Sequence, residues 1–221
     1  MARAVKGQPP ARTRRAERSE RTRQRILHAA TALFADKGYA ATTIDAIAVD
    51  ADVAVETVYA RFGNKLTLLR AILESAIAGN DHGVDILDLP EVAAIRGLTD
   101  QHEQLARLAH LSRGILQRSA LGHRILRSAS AADPAAAEFT RSDEQRRHRI
   151  QTAYIHMLLA NGPLRDGLST DDAAATYTAL ANPDTYALLT TGRGWTADHY
   201  ETWLRDSLTR LLLNPSTKGR R

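Results

Sequence analysis

The chain has 221 residues, 43% hydrophobic and 25% charged, which is ordinary for a globular protein with a real core; it has no cysteine, which excludes disulfides, cysteine-ligated zinc and thiol catalysis. Its net charge of +5 is lopsided, because residues 1–70 carry 13 Lys and Arg against 7 Asp and Glu while residues 71–221 carry 17 against 18, so a polyanion partner is indicated at one end only. No apolar run follows the basic N-terminus and no segment approaches the ~18 apolar residues of a membrane span, so a cytoplasmic protein with no membrane partner is expected.

Residues 1–19 combine Arg3, Lys6, Arg12, Arg14, Arg15 and Arg18 with few apolar side chains. Such a segment buries too little to offset its ordering entropy, so a disordered basic arm is expected. An arm of this kind follows phosphates or enters a minor groove, or is merely solvated. A first helix is expected from Ser19 or Glu20 to Asp36, with Ile26, Ala29, Ala30, Leu33 and Phe34 on one apolar stripe and Lys37-Gly38 as its stop. Thr43 reads as the N-cap of a short helix, Ile44 to Asp50. The turn Ala51-Asp52-Val53 leads to a third helix, Ala54 to Arg61. Two short helices joined by a three-residue turn form the helix-turn-helix pattern, whose second helix enters the major groove.

Gly63-Asn64 interrupts the chain before a fourth helix that starts near Lys65 and ends at the polar stretch 79–83. Beyond it the pattern is helical throughout. A short helix is expected over Pro90–Gly97 and a longer one capped by Thr99, continuing through His123 to Ser130. Asp133-Pro134 starts another, from Ala135 to Ala160. Ser169 with Asp172 resembles a capping box for a helix over Asp171–Thr190, which Pro183 should kink near Ala179 to Asn182. Thr196 caps the last helix, and Asn214-Pro215 closes it. The expected organisation is a basic arm at 1–19, a helix-turn-helix domain at 20–80, a helical domain at 81–215 and a disordered tail at 216–221.

The residues Ile26-Leu27, Ala29-Ala30, Leu33-Phe34, Gly38-Tyr39, Thr42-Thr43, Ile47-Ala48, Ala51, Val53, Thr57, Tyr59, Phe62, Lys65 and Leu68-Leu69 together resemble the DNA-binding domain of TetR-family transcriptional regulators. The likeness covers about 45 residues at fixed spacing, which is far more specific than a lone motif. One departure is Asp52, where the family usually has glycine; Asp tolerates the left-handed conformation better than most residues, so the turn should survive. The resemblance implies an all-α fold of about nine or more helices, with a three-helix DNA-binding domain ahead of a larger ligand-binding and dimerisation domain. It implies a homodimer whose recognition helices enter successive major grooves of a near-palindromic double-stranded DNA operator, ~34–36 Å apart. It also implies a small-molecule effector, dimerisation through the last two long helices, and a fourth helix that moves when ligand binds.

Position by position, Thr43 at a helix N-terminus would donate to a phosphate, a role compatible with capping. Thr57 and Tyr59 would reach phosphate or base edges, Arg61 a phosphate or guanine, and Lys65 a phosphate. Val55 and Glu56, at the start of the recognition helix, would meet a thymine methyl and a cytosine amino group, although Val55 is as well suited to the core. The effector pocket is expected between helices near Leu105–Leu116, Tyr154–Leu158 and Tyr177–Tyr186. Leu108, Leu111, Ile115, Tyr154, Met157, Leu158 and Tyr177 are the candidate wall, which suits a neutral or weakly polar apolar molecule. The helices over Asp171–Thr190 and Ala197–Leu213 are the expected dimer surface.

An enzyme fits poorly. His102 and His110, like His148 and His156, lie two helical turns apart, too far for one metal or a dyad within a helix, and no HExxH, phosphate loop or nucleophile elbow is present. No cofactor is expected. The alternative function is a helical nucleic-acid-binding adaptor with no small-molecule effector, which leaves the ordered motif behind the arm unexplained.

Overall fold

A computed structural model describes residues 11–79 and 85–215. Among them it has ten α-helices, two single-turn segments and no strand. The chain forms two compact units, Met1–Ile72 and Leu73–Arg221. Their division falls inside a helix, ahead of the boundary expected near residue 80.

The first unit begins with α1 (Ala11–Lys37), followed by α2 (Ile44–Asp50), α3 (Val55–Phe62) and the start of α4 (Lys65–Ala78). The expected disordered arm is corrected for residues 11–19, which are helical; residues 1–10 lie outside the described part, as do 216–221 of the expected tail. Arginine, alanine and glutamate are strong helix formers. Pairs one turn apart add to this, Glu17 with Arg21 at 3.9 Å and Glu20 with Arg23 at 3.5 Å, each contributing about 0.2–0.5 kcal/mol. The arginines make i,i+3 and i,i+4 partners that a reading by apolar content alone passes over.

Ile26, Ala30, Ile47, Val58, Leu68 and Leu69 are fully enclosed, so α1 and α4 supply the scaffold that two-turn helices need. Leu33, expected inside, is only half-buried. Thr43 accepts from the backbone of Ala46, as a cap should. Asn64 does the same for α4, taking the backbone N–H of Thr67 at 2.8 Å, so the residue read as a breaker is also a start signal.

The second unit opens with an unexpected 3₁₀ turn, Ile86–Asp88, then α5 (Pro90–Arg96), α6 (Gln101–Ser130), α7 (Pro134–Leu159), α8 (Thr170–Leu180), α9 (Pro183–Ala187) and α10 (Ala197–Leu212). The cap of α6 is Asp100, not Thr99: its carboxylate takes the N–H of His102. Ser169 and Asp172 bond as expected at the start of α8. The expected kink at Pro183 is a full break. Asn182 caps a new helix with Pro183 at its first position, and α9 then runs into a single π turn, Leu188–Gly192. An Asn-Pro pair is a helix start as much as a helix interruption.

The core of this unit lies between α6, α7, α8 and α10, where Leu105, Leu108, Ile155, Leu158, Tyr177, Tyr200 and Leu204 are fully buried. Each buried leucine contributes about 1.5–3 kcal/mol. Tyr200 donates its hydroxyl to the carbonyl of Leu180 at 2.8 Å, satisfying the end of α8 where the helix breaks. Its ring meets Tyr186 edge-on at 4.8 Å. No helix of the described residues is long and apolar enough to cross a membrane.

Candidate DNA-reading head and effector cavity

In the first unit, α3 is held by its inner residues Val58 and Phe62 and turns Glu56, Tyr59 and Arg61 outward, with Val55 and Thr57 half-buried beside them. The turn before it contains Asp52 at φ +51°, the left-handed conformation that the tight turn requires. Arg25 of α1 reaches this turn and donates to the Asp52 carbonyl at 3.3 Å and its carboxylate at 3.5 Å. Tyr59 is half exposed. The hydroxyls of Thr57 and Tyr59 and the carboxylate of Glu56 make no hydrogen bond among the described residues, so all three remain open to a ligand. Thr43 is exposed; its oxygen caps α2, which leaves its proton to donate outward.

Two cations of the head are engaged within the protein. Arg61 donates to the Ser19 hydroxyl at 2.9 Å, which joins the end of α3 to the arginine-rich first half of α1. Lys65 donates to the carbonyls of Thr42 at 3.0 Å and Ala40 at 3.3 Å, and its ammonium sits 4.5 Å from the centre of the Tyr39 ring. These contacts make Lys65, a candidate phosphate contact, also a brace between α4 and the loop ahead of α2. Sequence reasoning missed this bracing, and gave no role to Thr42, which is buried and donates to the Gly38 carbonyl at 2.8 Å to fasten the end of α1.

In the second unit, a cavity of about 60 Å³ is lined by Ile86, Ser112, Ile115, Leu116, Arg147, Ile150, Gln151, Tyr154 and Ala181. Of the expected wall, Ile115 and Tyr154 line it. Leu108, Leu111, Met157, Leu158 and Tyr177 pack into the core and do not. Helical spacing identifies a buried face but does not say where along that face a gap remains. Ser112 is hydrogen-bonded to Tyr177 at 2.9 Å, and Gln151 accepts from Thr178 at 2.6 Å. Burial raises the Tyr154 and Tyr177 hydroxyls well above the ordinary tyrosine range, so both are donors.

A second, more polar cavity of about 80 Å³ includes His123, Asp143, Glu144 and Arg147. Asp143 is buried and meets three cationic or imidazole groups: His123 Nε2 at 3.2 Å, Arg146 at 2.8 Å and Arg147 Nε at 3.1 Å. Burial alone would raise its pKa, but the hydrogen bonds from His123 and Arg146 and the charge of Arg147 hold the carboxyl well below its usual range. Arg147 therefore borders both cavities.

At the end of α4, Arg118 of α6 donates to the carbonyls of Ala76 at 3.0 Å and Ile77 at 3.2 Å, closing the helix from outside. The chain pattern contained no signal for this contact, since it depends on how α6 is placed.

Residues 26–72 match the sequence model of the bacterial regulatory proteins of the tetR family. No curated protein matches the sequence. Among solved structures, the chain is similar to a transcriptional regulator from Saccharomonospora viridis in complex with choline, at 24% identity and a TM-score of 0.64 over 87% of this chain and 98% of that one. It is similar to NalD, the secondary repressor of the MexAB-OprM multidrug efflux pump in Pseudomonas aeruginosa, at 22% identity and a TM-score of 0.63 over 88% and 98%. A TetR-family regulator from Syntrophomonas wolfei aligns at 17% identity with a TM-score of 0.66 over 86% and 94%.

Proposed function

We propose, on the premise that the chain is a TetR-family transcriptional regulator, that it represses transcription as a homodimer bound to a near-palindromic operator and is released by a small molecule. The observation that carries this is the outward set on α3, with Glu56, Thr57 and Tyr59 unsatisfied beside a basic α1. Thr43, Arg61 and Lys65 contact phosphates, and Val55, Glu56, Thr57 and Tyr59 face the bases. The continuation of α1 back to Ala11 supports an added row of arginine contacts along the duplex.

The effector enters the 81–215 domain at the cavity bounded by Ile115 and Tyr154. Support comes from the cavity itself and from the choline-bound relative, which holds a small molecule on the same fold. The dimer forms through 171–190 and 197–213, where Leu188 and Leu211 leave apolar surface exposed. The lever is α4, one unbroken helix from Lys65 to Ala78 that is shared by both units.

A gel shift with the chain's own promoter region at moderate salt, alongside light scattering of the pure protein, tests the reading. Sequence-preferring binding by a dimer is expected. Binding that ignores sequence, or that no metabolite weakens, supports the adaptor reading instead.

A further inference from the structure

Two donors on the wall of the Ile115–Tyr154 cavity make no aligned hydrogen bond. The Tyr154 side chain is buried, yet its hydroxyl makes no hydrogen bond among the described residues. Arg147 is mostly enclosed, with its side chain 18% exposed, and its Nε is a buried polar atom with no aligned hydrogen bond. Its single ion pair, to Asp143 at 3.1 Å, goes to a carboxylate that also has Arg146 and His123. One buried carboxylate is thus shared by two guanidiniums, Arg146 and Arg147. The polar acceptors and hydroxyls nearby, Ser112 and Gln151, are already bonded to Tyr177 and Thr178. The remaining wall, Ile86, Ile115, Leu116, Ile150 and Ala181, is aliphatic.

A half-buried guanidinium that shares its carboxylate with a second one, beside an aliphatic chamber, is a receptor for a carboxylate with an apolar body. We infer that the effector of this chain is a small monocarboxylic acid, its carboxylate paired with Arg147 and its apolar part against Ile115, Leu116 and Ile150. Tyr154 lies two turns along α7 from Arg147, about 10 Å in axial rise, and marks the far end of the chamber, where an oxygen acceptor is favoured. The cavity, about 60 Å³, is small, which selects short or single-ring acids over long chains. The neutral or weakly polar molecule expected from the aliphatic residues alone is thereby replaced by an anion. This inference rests on the effector reading above, and it assigns that site its ligand chemistry.

The test is calorimetric titration of the full chain with isovalerate, hexanoate, benzoate and phenylacetate, each against its own primary amide, with tetramethylammonium as the cationic probe. At least one acid should bind at least about tenfold more tightly than its amide. Arg147→Gln should erase that preference, Arg147→Lys should restore part of it, and Tyr154→Phe should cost less. Ile115→Phe, which fills the chamber without touching charge, should block the acid as well. Equal binding of acid and amide, tighter binding of the cation, binding unaffected by Arg147→Gln, or no binding by any acid would each overturn the inference. Operator binding is measured on the same samples. Intact operator binding without acid preference defeats only the ligand assignment, whereas lost operator binding defeats the regulator reading.

Discussion

Arg25 of α1 donates to the main-chain carbonyl of Asp52 across 27 positions of sequence, and Asp52 holds the left-handed conformation of the helix-turn-helix turn. One side chain thus fastens the strained residue to the scaffold. A β-branched residue pays most in this conformation, so Asp52→Val should destabilise the head by about 1–2 kcal/mol. Asp52→Gly should leave stability equal or slightly raised, because the left-handed conformation costs glycine little. Thermal unfolding of the two variants checks both signs. A valine variant as stable as the parent would show that the turn relaxes to another conformation.

Lys65 illustrates how one residue serves packing and recognition together. Two of its donors are on the carbonyls of Ala40 and Thr42, and its charge lies over Tyr39. Lys65→Ala should therefore lower stability by about 1–3 kcal/mol, the cost of removing charged hydrogen bonds from half-buried carbonyls. Operator affinity should fall alike for all sequences, and the slope of log affinity against log salt should drop by about 0.9, the share of one phosphate contact. Denaturant titration and anisotropy over a salt series separate the two effects. An unchanged slope with reduced stability would assign Lys65 to bracing alone.

The head was legible because its pattern is local. Thr43, Asp52 and the spacing of Ile47, Ala48, Val58 and Phe62 are fixed within a few residues of one another, and α2 spans Ile44–Asp50 as the cap and apolar spacing indicate. What escaped was long-range. Arg25 with Asp52, Arg61 with Ser19 and Arg118 with Ala76 join positions 27 to 42 residues apart, and no periodicity encodes such partners. The expected effector wall and the lining of the cavity coincide only at Ile115 and Tyr154, for a related reason. Leu108, Leu158 and Tyr177 share the buried face with Ile115 and Tyr154, but only the packing of neighbouring helices determines which of them fill the core. Asp143 gave no signal either, since an aspartate within a charged stretch, among Arg141, Glu144, Arg146 and Arg147, reads as solvated surface.

That buried Asp143 makes the second unit sensitive to acid. Burial opposes its ionisation, yet His123, Arg146 and Arg147 depress its pKa below the unfolded value. A depressed carboxyl contributes stability that is present above its unfolded value, near pH 4, and is lost as pH falls toward the folded one. Stability measured by denaturant should therefore decline below about pH 4, and Asp143→Asn should remove that part of the decline. At neutral pH the same change should cost about 3–5 kcal/mol, because it leaves enclosed arginine charge without its counterion. An Asn variant with the parent's stability at pH 7 would mean that water or a rearranged side chain compensates Arg146 and Arg147.

Arg118 tests the lever. Its guanidinium holds the last carbonyls of α4, at Ala76 and Ile77, to α6. The same helix α6 contributes Ser112, Ile115 and Leu116 to the candidate effector cavity, two to six residues earlier in the chain. A ligand that shifts α6 would then pull directly on the end of α4 through Arg118. Arg118→Met should free that end while keeping the aliphatic stem, so amide exchange of α4's last turn should rise. Operator affinity without effector should change by less than about threefold, since no head residue is touched, whereas the factor by which effector weakens operator binding should shrink toward one. Linkage requires the reciprocal loss: saturating operator should no longer weaken effector binding to the variant. Anisotropy with and without effector, paired with hydrogen exchange, reads both sides. Full retention of the effector response in a variant whose α4 terminus exchanges faster would place the coupling route elsewhere than Arg118.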